Sequence, residues 1–212
     1  MTNPYLVGIA GGTGAGKTAL VEALATTLGV ARVARLAQDA YYRDRSDLAP
    51  DERAALNFDV PDALDLDLFH ADLTALHAGR PVAPPQYCFT THRRLGFGEP
   101  LDPREIVLVE GILLFAEPDT RPLFDLRIFL DAPAHLRLAR RIARDTVERG
   151  RTPASVAAQC QATTWPAHAQ YVEPTRACAE LVLINTGPLH HVAAAAATAI
   201  RAGLEQRAPS LI

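Results

Sequence analysis

Residues 11–18 read GGTGAGKT, a glycine, four residues, a second glycine, a lysine and a hydroxyl residue. That spacing suits the holding of phosphates. Backbone N–H groups can wrap phosphate oxygens only where the chain takes angles and close approaches that a Cβ would obstruct, hence Gly11 and Gly16. Gly12, Thr13, Gly14 and Ala15 complete the loop, Lys17 is placed to reach the β- and γ-phosphates, and the Thr18 hydroxyl stands where Mg²⁺ needs an oxygen ligand. Of the 21 Lys and Arg residues only Lys17 is a lysine. A chain that otherwise uses arginine keeps a slim, flexible ammonium here.

Phosphoryl transfer also needs a carboxylate to orient and deprotonate an acceptor hydroxyl. Asp39 follows a predicted strand, Ala31–Leu36, and ligands gather at the carboxyl ends of parallel strands. Glu110 follows the apolar run Ile106–Val109 in the same way. Thr18, Glu110 and Asp39 are therefore the candidate Mg²⁺ ligands. Between 134 and 151, Arg137, Arg140, Arg141, Arg144, Arg149 and Arg151 stand against only Asp145 and Glu148. The surplus positive field suits a lid that closes over polyphosphate and neutralises transition-state charge. Tyr87, Phe89 and His92 lie close together in a Pro-, Gly- and aromatic-rich stretch, and they read as one edge of an aromatic pocket. Phe58-Asp59-Val60-Pro61-Asp62 is a turn with two carboxylates, since Pro61 keeps Val60 out of helical geometry.

The elements that must position these groups are legible in outline. Leu6–Ala10 leads into the loop as a strand, and Thr18–Leu28 leads out as a helix whose N-terminus faces the anion. A helix is predicted over Asp67–Ala78, ended by Gly79, and a β-ribbon over 80–100. Leu126–Leu130 and Leu181–Ile184 read as further strands. Helices are predicted over Ala134–Arg149, over Ala154 to about Thr164, with Gln159 behind the arginines, and over Leu189–Gln206. The whole is an α/β chain: a P-loop NTPase fold with a parallel sheet flanked by helices, an inserted ribbon and an Arg-rich helical lid (about 134–165). Residues 1–212 read as a single domain.

Composition narrows the function classes. A net charge of −3 leaves no basic surplus to hold nucleic acid by counterion release. Cys88, Cys160 and Cys178 are odd in number and far apart, which fits neither a disulfide framework nor a zinc site. The apolar run before the loop is too short for a signal segment, and no run approaches the roughly 18 residues of a membrane span. A cytoplasmic protein without membrane or nucleic-acid partners is expected.

Together, GGTGAGKT, QDAYYRD, NFDVPDALD, PPQYCFTTHRR, VEGILLF, RRIARDTVERGR and VEPTRACAE resemble the uridine kinase family, also called uridine/cytidine kinases, from about Tyr5 to Ile184. The loop alone names a superfamily; ERGR and the Y-x-F-x-x-H ribbon narrow it. The resemblance implies ATP as phosphate donor and transfer of its γ-phosphoryl group to the 5′-hydroxyl of a pyrimidine nucleoside, giving UMP or CMP in nucleotide salvage. It implies Asp39 as base and Lys17 on the phosphates. Phe58, Asp59, Tyr87, Phe89, His92, Arg141, Arg151 and Gln159 then fall around the nucleoside, and Arg144 and Arg149 on the transferred group. It also implies a homotetramer. Val60, Cys88 and Cys160 depart from the family's F-D-H-P, Y-D-F and Q-Y patterns. The competing expectations are another small-molecule P-loop kinase, of the nicotinamide riboside or phosphoribulokinase kind, and a nucleotide-binding regulator without turnover.

Overall fold

In the strand Tyr5–Ala10 (β1) every residue is buried, and alternation sends its side chains into two different cores. Tyr5, Val7 and Ile9 pack with the helices on one side of the sheet, including Leu20, Leu24, Val192 and Ile200. Leu6 and Ala10 pack on the other side with Phe69, Leu73, Phe115 and Phe129. Such two-sided burial is what a continuous apolar run signifies in a parallel sheet.

The computed structural model describes residues 3–207. After β1 come α1 (Lys17–Leu28), β2 (Val33–Ala37), α2 (Pro50–Ala54), α3 (Leu66–His77), β3 (Pro85–Cys88), β4 (Arg93–Phe97), β5 (Ile106–Gly111) and β6 (Leu126–Asp131). The chain continues through α4 (Ala134–Glu148), α5 (Pro153–Gln159), α6 (Trp165–Ala167), β7 (Leu181–Ile184) and α7 (Leu189–Arg207). The main sheet has the order β2-β5-β1-β6-β7 and is parallel throughout; β3 and β4 form a separate antiparallel ribbon. Its register sets Ala10 beside Gly111 and Phe129, and Ala37 beside Glu110. The loop after β1, the turn after β2 and the carboxylate of β5 thus emerge along one edge.

Two departures from the sequence expectations have local causes. The second strand starts at Val33 because Val30–Arg32 forms a 3₁₀ turn after Gly29, whose φ is +99°. The helix predicted to end near Thr164 instead runs on as α6 and two π-helical turns, Cys160–Thr164 and His168–Val172, into a 3₁₀ stretch at Glu173–Cys178. Trp165 N donates to Cys160 O and Glu173 N to His168 O, and the next residue in each case is proline. A proline has no N–H for the i−4 carbonyl, so the ladder widens by one residue and the helix passes it.

Gly8 is where β1 meets a pair of edge-to-face rings, Phe115 and Phe124, with centroids 5.7 Å apart. A Cβ at Gly8 would lie 2.7 Å from Phe115 and 3.0 Å from Phe124. Both rings are buried and neither has room to turn. Gly8→Ala is therefore expected to destabilise the fold by about 1–3 kcal/mol, the usual cost of overpacking a filled core. Urea denaturation monitored by circular dichroism checks this, and a midpoint equal to that of the unaltered chain would refute it.

Candidate active site

The glycine-rich loop has the geometry its sequence calls for. Gly11, Gly14 and Gly16 have φ of +144°, +75° and +100°, values that side chains strain to adopt. The loop is gripped through its carbonyls, which leaves backbone N–H groups free. Lys17 Nζ donates to Gly11 O at 3.0 Å and Gly12 O at 3.3 Å. Asn185 Nδ2 donates to Ala15 O at 2.8 Å, and Arg140 reaches Ala15 O and Asn185 O. Arg137 packs so tightly behind that a Cβ on Gly12 would fall 1.9 Å from its Nη1. Its guanidinium lies 5.0 Å from the centre of the Trp165 ring.

Glu110 and Asp39 flank Lys17. Thr18 Oγ1 donates to Glu110 Oε1 at 2.6 Å, so a hydroxyl and a carboxylate already share one point. Burial raises the Glu110 pKa, and Lys17 and the Thr18 hydrogen bond offset it in part. Asp39 sits in a 3₁₀ turn, Gln38–Tyr41. Burial raises its pKa too, against the lowering fields of Lys17, Arg149 and Arg144. Burial likewise lowers the Lys17 pKa, with Glu110 and Asp39 pulling it back up. The turn is pinned from behind by Gln38, whose buried Oε1 accepts from Leu113 N at 3.0 Å.

These groups form one end of a cavity of about 760 Å³, within the range of small-molecule sites. The other end is aromatic. His92 stacks on Phe58 with centroids 4.5 Å apart and 14° between planes. Tyr42 meets Phe58 and Tyr87 at 5.4 and 5.2 Å, and Tyr87 meets Phe89 at 5.4 Å. Arg94 ties this ribbon to the Asp39 turn, donating to Asp65 Oδ2 at 3.0 Å and to Tyr42 O at 3.1 Å. Between the two ends runs a polar chain. Gln159 Oε1 accepts from Arg141 at 3.1 Å and from Arg151 at 2.5 Å. Arg141 donates to Thr164 Oγ1 at 3.1 Å, and that hydroxyl donates to Asp59 Oδ2 at 2.8 Å.

Residues 6–193 match the Phosphoribulokinase / Uridine kinase family. The chain belongs to this family. It is 45% identical over 185 residues to the uridine kinase of Chloroflexus aggregans, covering 87% of this chain and 88% of that one. It is 39% identical over 187 residues to the uridine kinase of Brevibacillus brevis, covering 88% and 87%. Among solved structures, a putative fructose transport system kinase from Silicibacter sp. aligns with a TM-score of 0.70 at 22% identity over 86% of this chain and 91% of that one. Phosphoribulokinase from Rhodobacter spheroides aligns at 0.62 and 16% identity over 86% and 70%. Those two identities speak to the fold alone. The chain is a P-loop phosphotransferase of the uridine kinase type.

In this kinase the predicted residues Asp39, Phe58, Asp59, Tyr87, Phe89, His92, Glu110, Arg141, Arg144, Arg149, Arg151 and Gln159 all line one cavity with Lys17 and Thr18. Arg137 does not; it is buried behind the loop. The positive field is also less free than counting charges suggests, because Asp145 is wholly buried among four arginines. Sequence reasoning passed over Tyr42, Arg53, Gln38 and Asn185. Tyr42 alone had a usable signal, three residues after Asp39 in the same short segment. Of the departures from the family pattern, Cys160 is fully buried, and Cys88 is bonded to Thr91 in the ribbon turn, which lowers its thiol pKa. All three cysteines are free.

His92 is held below its ordinary pKa of 6.5 by burial, then by the fields of Arg149, Arg151 and Arg53. It is therefore neutral at pH 7. An NMR titration of the ring should find its midpoint below 6.5, and Arg149→Ala should move the midpoint up by removing a cation. A midpoint at or above 6.5 in the unaltered protein would contradict this electrostatic picture.

Proposed function

We propose that the protein transfers the γ-phosphoryl group of ATP to the 5′-hydroxyl of uridine and cytidine, giving UMP and CMP in pyrimidine nucleoside salvage. The observation that carries this is one cavity with a phosphate loop, Lys17 and Asp39 at one end and a histidine stacked among aromatic rings at the other. The uridine kinase names of the relatives support the substrate class.

Mg²⁺ fits the donors present. It commonly takes one or two carboxylates and completes its shell with substrate phosphates and water, rather than needing an all-protein cage. Thr18 Oγ1 and Glu110 Oε1, 2.6 Å apart, would hold it, with Asp39 beside them. When bound, the ion neutralises phosphate charge.

Asp39 accepts the proton of the 5′-hydroxyl as that oxygen attacks the γ-phosphorus, and the bond to the β–γ bridging oxygen breaks to release ADP. Lys17, Arg144 and Arg149 take up the charge that develops on the transferred group. Asp59, Arg141, Arg151 and Gln159 orient the nucleoside. A neutral His92 presents a ring N–H to the 4-oxo group of uridine, or a bare ring nitrogen to the 4-amino group of cytidine. Phe58, Tyr87 and Phe89 wall a space for one ring, which excludes purines. Of the segment from Arg137 to Arg151, the part beyond Arg137, which itself packs against the phosphate loop, acts as a lid, because an open site must admit two substrates and a closed one must exclude water.

A coupled assay for ADP with uridine, cytidine, adenosine and guanosine tests the whole scheme. Uridine and cytidine should be turned over, and efficient turnover of either purine nucleoside would remove the substrate assignment. Asp39→Asn should lower kcat by about 10² or more while ATP still binds. Because burial lifts the Asp39 carboxyl above its ordinary 3.8, and only the ionised form accepts a proton, activity should be lost on acidification through a midpoint above that value. Turnover by the Asn variant at the rate of the unaltered enzyme would remove Asp39 as the base.

A further inference from the structure

Asp145 lies on the inner face of α4 with no exposed surface, and its two oxygens face different pairs of arginines. Oδ1 takes Arg144 Nη2 at 2.8 Å and Arg149 Nε at 3.7 Å. Oδ2 takes Arg141 Nε at 3.6 Å and Arg151 Nη1 at 3.7 Å. This division follows that of the cavity except at Arg149, whose guanidinium also lies 4.9 Å from the centre of the Phe89 ring and whose field acts on His92. Arg141 and Arg151 are the two donors to Gln159, and Arg141 leads through Thr164 to Asp59. Arg144 and Arg149 are the two arginines whose fields act on Asp39.

The main chain ties one arginine of each pair to the same residue. Arg149 N and Arg151 N both donate to Asp145 O, at 3.2 and 3.1 Å, around Gly150 at φ +63°. The turn that carries the last two arginines is thus suspended from residue 145, and backbone and side chain move as one piece.

The two oxygens are not equally satisfied. Oδ1 accepts a hydrogen bond from Arg144 Nε at 2.9 Å, whereas Oδ2 and Arg141 Nε are buried with no hydrogen-bond partner among the described residues. A carboxylate oxygen left in this state in a low-dielectric interior is unfavourable, and closing the distance to hydrogen-bond length relieves it. That needs a displacement of Arg141 or Arg151 of less than about 1 Å. Both line the cavity, so a ligand that draws on either side chain changes its distance to Oδ2. Because the carboxylate is rigid, a turn that improves Oδ2 also redirects Oδ1 and the arginines on it.

We propose that Asp145 is a positioning residue that couples nucleoside binding to the placement of Arg144 and Arg149, one carboxylate oxygen serving each end of the site. The phosphoryl end is then assembled fully only when an acceptor is present, which favours transfer to the nucleoside over transfer to water. The coupling rests on the substrate assignment made above.

The test is a binding cycle with uridine and a non-hydrolysable ATP analogue, by calorimetry. In the unaltered enzyme each ligand should tighten the other, reciprocally, by about 5-fold or more. Asp145→Asn should still bind each ligand alone, with the mutual effect reduced to a factor near 1; in a separate turnover assay with ATP itself, it should lose a larger share of ATP to hydrolysis. Glu148→Gln, the same change of charge at an exposed site on the same helix, should retain the coupling. A purely structural role would instead weaken both single-ligand affinities and leave their ratio intact. One readout needs no variant: in the unaltered enzyme, uridine alone should shift the ¹⁵Nε resonance of Arg144, the member of the pair that does not lie over the aromatic wall. Uridine binding with no such shift, or an Asn variant with full coupling, overturns the proposal. Failure of the unaltered enzyme to bind uridine would instead overturn the substrate assignment, and the coupling with it.

Discussion

A loop that binds phosphate with its N–H groups must keep those groups free, so it has to be held by its carbonyls, and most of the molecule serves that constraint. Lys17, Arg140 and Asn185 take carbonyl oxygens of residues 11–15. Gly11 is so close to β6 that a Cβ on it would meet Leu130 O at 2.1 Å. A Cβ on Gly14 would meet Arg137 O at 2.3 Å. The loop is thus clamped between β6, the start of α4 and the residue after β7. Those contacts rest in turn on the parallel register that ends β1, β5 and β6 at one level. Preorganisation of this kind spares the reaction the cost of arranging dipoles when charge develops.

The same crowding sets the electrostatics. Lys17, Asp39 and Glu110 each lose water, so burial favours the neutral form of each; the lysine and the two carboxylates favour one another's charged forms, while Asp39 works against the charge on Glu110. Such mutual dependence explains why the carboxylates and the lysine come from three different strand ends rather than from one segment. Only the sheet edge brings separate chain segments to that distance while leaving a cavity between them.

Much of this was legible in the sequence because it is local. The loop needs particular residues at fixed offsets; Glu110 follows a continuous apolar run at once, and Asp39 lies two residues past the short strand Val33–Ala37. What was not legible is set by tertiary contact. Nothing in the spacing of Gln38 says that its amide oxygen will cap Leu113 N. Asn185 lies 170 positions from the carbonyl it holds. Arg137 shares the helix periodicity of Arg141 and Arg144, yet the loop occupies its side of α4 and turns it away from the cavity. Asp145 looks like one charge among many until its burial is seen. The helix past Thr164 was missed for a related reason, since Pro166 and Pro174 read as terminators unless the backbone widens around them.

The ribbon shows where locality ends. Its second strand is mostly exposed, with Leu95 and Phe97 at 67% and 62%, so the core reaches the ribbon only on the side of β3, where Tyr87 and Phe89 pack against it. The rest is fixed by Arg94, which reaches across to Asp65 and to the carbonyls of Tyr41 and Tyr42, and by rings that interlock from Phe58 to Phe89. His92 sits at the tip with φ of +51°, the one positive value outside glycine among the described residues. A side chain in that region carries strain of about 1–3 kcal/mol, which persists only where the surroundings over-determine it. Here stacking on Phe58 does so. The ring is held in the cavity at a conformational cost, where relaxation to an ordinary backbone angle would carry it elsewhere. The end of the site least anchored by the fold is therefore the end where individual side chains carry the most positional information. That is also why substitutions there, such as Cys88, are compatible with an intact phosphate loop.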